Sequence, residues 1–147
     1  MTIKECRRYL RKWRQTETSL NRLKTEKRVI DETIQALYEL TLIPADGQPH
    51  GNQVTHPTED KALRIIELMH ENEHRTEDID RRIEKAERYL KRVELVMTVA
   101  KHADLLKRYY HDGVRPMEKV AEEFHVAKRT AWRMETEGID SIADLIL

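Results

Sequence analysis

The sequence is poor in the residues that interrupt or cross-link a chain. Its 147 residues include one cysteine, Cys6, which excludes an internal disulfide and a cysteine-based zinc site. Four glycines and four prolines are too few for the many tight turns of a β-sandwich or β-barrel. No apolar run approaches the roughly 20 residues of a membrane span, and the N-terminus lacks the apolar stretch of a signal peptide. We therefore expect a mainly helical, cytoplasmic protein.

Charge is balanced overall but unevenly distributed along the chain, with 27 basic and 27 acidic side chains. Residues 1–28 contain ten basic and three acidic side chains (+7), whereas residues 44–80 contain three basic and nine acidic ones (−6). Residues 81–147 carry +2, from fourteen basic and twelve acidic side chains. Because local charge rather than the total decides where a polyanion can bind, the zero net charge does not exclude nucleic acid as a partner.

Two long stretches with very little glycine or proline predict two long helices. Residues 3–43 carry a narrow apolar stripe of coiled-coil type, which needs a second helix to bury it. Residues 44–57 hold the only long cluster of glycine and proline and predict a loop. Helical spacing then continues, although the polar stretch 71–78 leaves open a kink, a short connection or a solvated segment. An antiparallel helical hairpin over residues 1–97 is favoured, serving oligomerisation or partner binding.

A smaller domain is predicted over residues 98–147. Apolar spacing favours three short helices there, at about residues 98–111, 116–124 and 127–137. Gly138 is expected to end the last of them. Of the adjacent Tyr109 and Tyr110, one is expected to lie in the core and the other outside it. The predicted fold class is all-α throughout.

Residues 116–134 fit a helix-turn-helix, in which two short helices cross steeply and bury positions at a fixed, irregular spacing. Ala121 stands where the helices approach most closely and only a small side chain fits. The turn favours positive φ and usually holds glycine, but His125 occupies it here. The positions expected inside are all apolar: Val120, Phe124, Val126, Ala131 and Met134.

The other face of the second helix offers hydrogen-bond donors and a flat apolar ring. These groups suit phosphate oxygens, guanine edges or a thymine methyl group. The candidate DNA-binding residues are Lys128, Arg129, Thr130, Trp132 and Arg133. The alternative interpretation is a plain helical hairpin with exposed basic residues.

A second basic surface is predicted near the N-terminus, at Arg7, Arg8, Arg11, Lys12 and Arg14. It could follow a phosphate backbone and make binding salt-dependent. The alternative is the solvated outer face of a rod that pairs with the acidic stretch 59–80.

One motif is typical of a catalytic zinc site, but the residues around it are not those of such a site. His70, Glu71 and His74 match H-E-x-x-H, which places two imidazoles on one helix face beside a possible base. The surrounding residues are polar, and no third ligand is visible, so adventitious metal binding is favoured over a protease. We expect no enzyme activity, no metal site and no cofactor.

The C-terminal half resembles the ArpU/RinA-like group, which are small late-gene transcription regulators of bacteriophages and prophages with a domain similar to sigma-factor region 4. The resemblance is carried by LLKRYY at 105–110 and RTAWR at 129–133 within the helix-turn-helix. It implies that the second helix enters the major groove, which assigns Lys128, Arg129, Trp132 and Arg133 to DNA. The tail from Gly138 departs from the continuous final helix expected of the group.

The predicted function is sequence-specific binding of double-stranded DNA to regulate transcription of phage or prophage late genes in a bacterial host cell. A lone small domain reads few base pairs, so we expect a homo-oligomer, preferably a dimer, or contact with RNA polymerase. One alternative is a small terminase subunit for phage DNA packaging. Another is a helical adaptor that binds only protein.

Overall fold

The chain is mainly helical over the residues that its structure describes. In the computed structural model these are residues 1–42 and 56–146, which contain no strand. The elements are α1 (Ile3–Arg11), α2 (Trp13–Leu42), α3 (His56–Met97), α4 (Ala103–Leu106), a π-helical turn (Lys107–His111), α5 (Met117–Glu123) and α6 (Lys128–Ala143). The predicted all-α class is confirmed. Across these residues no helix combines the length and apolarity needed to traverse a bilayer.

The first predicted helix is divided at Lys12, between α1 and α2. Thr2 begins α1 with a capping box: its hydroxyl accepts from the Glu5 amide at 3.2 Å, and the Glu5 carboxylate accepts from the Thr2 amide at 2.8 Å. The same contacts lower the pKa of Glu5. Of the predicted loop 44–57, residues 44–55 lie outside the described residues, and the last two residues belong to α3.

Helix α3 continues through the polar stretch 71–78, so no connection interrupts it there. Asn72 is largely buried, and its side-chain amide donates to the Leu68 carbonyl at 2.7 Å. This bond lies within one helical turn and satisfies the amide locally. The gap in the apolar stripe is therefore a mostly solvated length of helix.

Contacts divide the chain into two compact units. The first unit comprises residues 1–21 and 85–147, and the second comprises residues 22–84. The first unit thus joins both ends of the predicted hairpin, residues 1–21 and 85–97, to the predicted C-terminal domain 98–147.

The core of the first unit joins the two ends of the sequence to the last part of α3, which contributes Val93 and Val96. Cys6, Leu10 and Trp13 on one side are buried in the same apolar cluster as Leu105 and the C-terminal helices. Burial raises the pKa of the Cys6 thiol to about 11, which keeps it protonated and unreactive. The other fully buried members include Leu106, Met117, Val120, Ala131, Ile139, Ile142 and Ile146.

In the second unit, Ile30 and Ile79 are buried, and Lys27 of α2 forms an ion pair with Asp80 of α3 at 2.5 Å. Several large apolar side chains of this unit remain about half exposed, namely Val29, Tyr38, Leu40, Leu63 and Ile66.

The prediction that Gly138 ends a helix is wrong. Helix α6 continues through it to Ala143, and Gly138 is buried where α6 passes the segment before α4. A Cβ atom there would lie 2.6 Å from the Lys101 carbonyl oxygen and 2.9 Å from Leu106 Cδ1. Glycine is therefore required for close approach rather than for a turn.

Candidate nucleic-acid interface

Helices α5 and α6 are joined by a tight connection at residues 124–127. His125 has φ of +57°, in the left-handed region predicted for this position. The connection is held by backbone bonds from the Phe124 amide to the Val120 carbonyl at 3.0 Å and from the Val126 amide to the Ala121 carbonyl at 3.0 Å. Ala127 precedes α6 with extended backbone and provides no side-chain cap.

The residues predicted inside this pair of helices all face the apolar core. Val120, Ala121 and Ala131 are buried in it. The larger side chains Phe124, Val126 and Met134 are partly buried and pack against the same cluster. The opposite face of α6 is therefore the side left to solvent.

The predicted DNA-binding residues lie on the first two turns of α6. Lys128, Arg129, Trp132 and Arg133 are exposed, whereas Thr130 is half-buried. Lys128 Nζ lies 2.9 Å from Glu118 Oε1, and Arg133 Nε lies 3.8 Å from Glu137 Oε1. Both pairs are exposed and therefore weak, so an incoming phosphate can replace them at little cost. The five residues thus form a group, which we call the α6 surface.

Two tyrosines beneath the α6 surface are both buried, which corrects the prediction that one would point outward. Tyr109 is 7% exposed and Tyr110 is 4% exposed, because the π-helical turn is enclosed by other helices of the first unit. The ring of Tyr109 lies 5.8 Å from that of Trp132, at 72°. Arg115, which sequence reasoning missed, places its guanidinium 4.0 Å from the Tyr109 ring centroid.

On its other side, α6 is fastened to α1 by a buried carboxylate. Glu135 is fully buried and accepts two bonds from Arg7, Nε to Oε1 at 2.9 Å and Nη2 to Oε2 at 2.8 Å. The Tyr110 hydroxyl donates to the same carboxylate at 2.7 Å. The Glu135 carboxylate raises the pKa of Arg7, and burial together with this bond raises the pKa of Tyr110.

The members of the predicted second basic surface therefore differ in their partners and in their exposure to solvent. Arg7 is paired with Glu135, and Arg14 Nη1 donates to the Asp112 carbonyl at 3.1 Å. Arg8, Arg11, Lys12 and Arg14 are exposed. Arg7 therefore serves as a structural residue, and the exposed members are the ones accessible to a polyanion.

A further cluster that sequence reasoning missed surrounds His111. Its Nδ1 lies 2.8 Å from Asp112 Oδ1, its Nε2 contacts the Glu17 carboxylate, and its ring packs 5.0 Å from that of Trp13. Asp112, and then Glu17, raise the pKa of His111. The cluster ties α2 to the π-helical turn, and no sequence motif marks it because Glu17 and His111 are 94 positions apart.

The H-E-x-x-H motif lies within α3. His70 and His74 are exposed and face Glu73 and Glu77 of the same helix, at 3.6 and 4.0 Å. Over residues 1–42 and 56–146, no group of three or more His, Cys, Asp and Glu side chains is arranged to hold a metal ion.

Comparison with protein-family models, curated proteins and solved structures found no match to this chain.

Proposed function

We propose that this protein binds double-stranded DNA in a sequence-specific manner and regulates transcription. The observation that carries the proposal is the α6 surface, where three cations and an indole project from the first two turns of a helix whose other face is buried. In the proposed mode, α5 and α6 act as a helix-turn-helix and α6 enters the major groove. Phosphate contacts supply affinity, and base contacts from residues 128–133 supply specificity.

Arg129→Ala and Arg133→Ala are each expected to weaken binding to the preferred duplex by about 1–3 kcal/mol, the value of a good base contact. Arg129 is exposed and has no ion-pair partner among the residues that the structure describes, so its removal leaves the fold intact. The preferred duplex is obtained by selection from a random pool, and affinity is measured by fluorescence anisotropy at fixed salt.

Lys91→Ala is the matched control, because it removes one exposed positive charge from α3 of the same unit. It should change affinity far less than either arginine variant. A pool from which no duplex is retained at low salt would exclude the DNA proposal and leave the protein-binding adaptor. If Lys91→Ala and Arg129→Ala lose equal affinity for the duplex, the α6 surface does not determine which sequence is bound.

We propose that α2 and α3 form the antiparallel hairpin through which two chains dimerise or contact RNA polymerase. The Lys27–Asp80 pair and the half-exposed apolar side chains of the second unit support this role. The expected solution mass, measured by sedimentation equilibrium, is that of two chains. A ring of eight or more chains would instead favour the small terminase subunit.

A further inference from the structure

Trp132 is an exposed aromatic side chain that a buried neighbour holds in place. Its side chain is 39% exposed on the α6 surface. Its ring meets that of Tyr109 at 72°, with 5.8 Å between the centroids, which is a favourable edge-to-face arrangement. Tyr109 is only 7% exposed, so the indole packs against a buried side chain of the core.

Tyr109 is itself fixed from two further sides. Arg115 stacks over its ring at 4.0 Å, and Arg115 Nη1 donates to its hydroxyl at 2.9 Å. The ring of Tyr110 meets it edge-on, with centroids 5.0 Å apart. The hydroxyl of Tyr110 in turn donates to Glu135. The position of the indole is thus linked to the packing of the first unit.

The indole and the two arginines beside it suit different chemical groups of a DNA duplex. Arg129 and Arg133 stand three positions before Trp132 and one after it, and their guanidinium groups suit guanine edges and phosphate oxygens. The indole has one N–H donor and no acceptor, and most of its surface is apolar. The matching apolar group in the major groove is the 5-methyl group of thymine.

We infer that Trp132 determines specificity by contacting a thymine methyl group, and that Tyr109 is the positioning residue that holds it there. This inference rests on the proposed function, because it names the base that the α6 surface reads.

The test replaces each thymine of the selected duplex, one at a time, with deoxyuridine, which keeps the base pair and removes only the methyl group. At one or two positions the wild-type protein is expected to bind the uracil duplex about fourfold more weakly, the equivalent of about 0.8 kcal/mol for one buried methyl group. Trp132→Ala, a change at an exposed position, should bind both duplexes equally. Tyr109→Phe retains the ring edge and should retain the discrimination, whereas Tyr109→Leu should reduce it.

The possible results distinguish a failure of this inference from a failure of the proposed DNA binding. Equal binding of thymine and uracil duplexes by the wild type at every position overturns the inference and leaves DNA binding intact. Discrimination that persists in Trp132→Ala also overturns it, because another residue would then read the methyl group. Selection that retains no duplex removes the proposed function, and the inference with it.

Discussion

Replacing Arg7 with methionine is expected to lower the free energy of unfolding by about 3 kcal/mol, measured by urea denaturation followed by circular dichroism at 222 nm. Arg7 and Glu135 are 128 positions apart, and the Glu135 carboxylate is fully buried. Removing the guanidinium leaves that carboxylate with fewer partners in an apolar core. Loss of one partner of a buried ion pair is among the most destabilising single changes.

Arg8→Met is the control, since Arg8 is the exposed neighbour of Arg7 on α1, and its replacement should stay within about 0.5 kcal/mol of the wild type. The double variant Arg7→Met with Glu135→Gln should be more stable than Arg7→Met alone. The neutral amide still accepts from the Tyr110 hydroxyl and no longer needs a counter-ion. If Arg7→Met is as mild as Arg8→Met, this pair does not fasten α1 to α6.

Because the Arg7–Glu135 pair holds α1 to α6, Arg7 variants are unsuited to testing the N-terminal basic residues for DNA contacts. An Arg7 variant that lost DNA affinity would report a disturbed α6 rather than a lost phosphate contact. Arg8, Arg11 and Lys12 are exposed and provide the clean test of a second surface. A lower salt dependence of binding in their alanine variants would identify direct phosphate contacts.

The sequence predicts the elements well where the pattern is local. Scarcity of glycine and proline, together with helical apolar spacing, is enough to predict the long helices α2 and α3. The irregular spacing of Val120, Ala121 and Ala131 identifies the buried face of α5 and α6. The positive φ at His125 follows from the geometry of a tight turn between two helices.

The arrangement of these elements depends on contacts that no local pattern encodes. The apolar stripe through Cys6, Leu10 and Trp13 predicts burial against a second helix, and the last part of α3 does share its cluster. Nothing in the stripe predicts that the C-terminal helices belong to that cluster as well. One signal was available: Glu135 interrupts an otherwise apolar face of α6, and a buried carboxylate requires a cation or several donors. That signal requires a partner but does not identify Arg7.

Gly138 shows the same limit, and its replacement should have the second large effect on stability. Gly138→Val is expected to lower the free energy of unfolding by about 3 kcal/mol, and Gly138→Ala by about 1–2 kcal/mol. Alanine in a helix interior gains about 1 kcal/mol over glycine in intrinsic propensity. Here that gain is outweighed, because the new Cβ would lie 2.6 Å from the backbone oxygen of Lys101, which cannot turn aside as a side chain can. Helix α6 must therefore move away from the segment before α4, which contains Lys101.

Asp140→Ala provides the control, because Asp140 is exposed two positions further along the same helix and should gain stability slightly from helix propensity. Thermal unfolding of the three variants separates the two effects, since propensity favours alanine at both positions and crowding acts only at Gly138. If Gly138→Ala is stabilised as much as Asp140→Ala, the segment before α4 moves aside with no loss of stability. The close approach would then not determine where α6 presents Arg129 and Trp132.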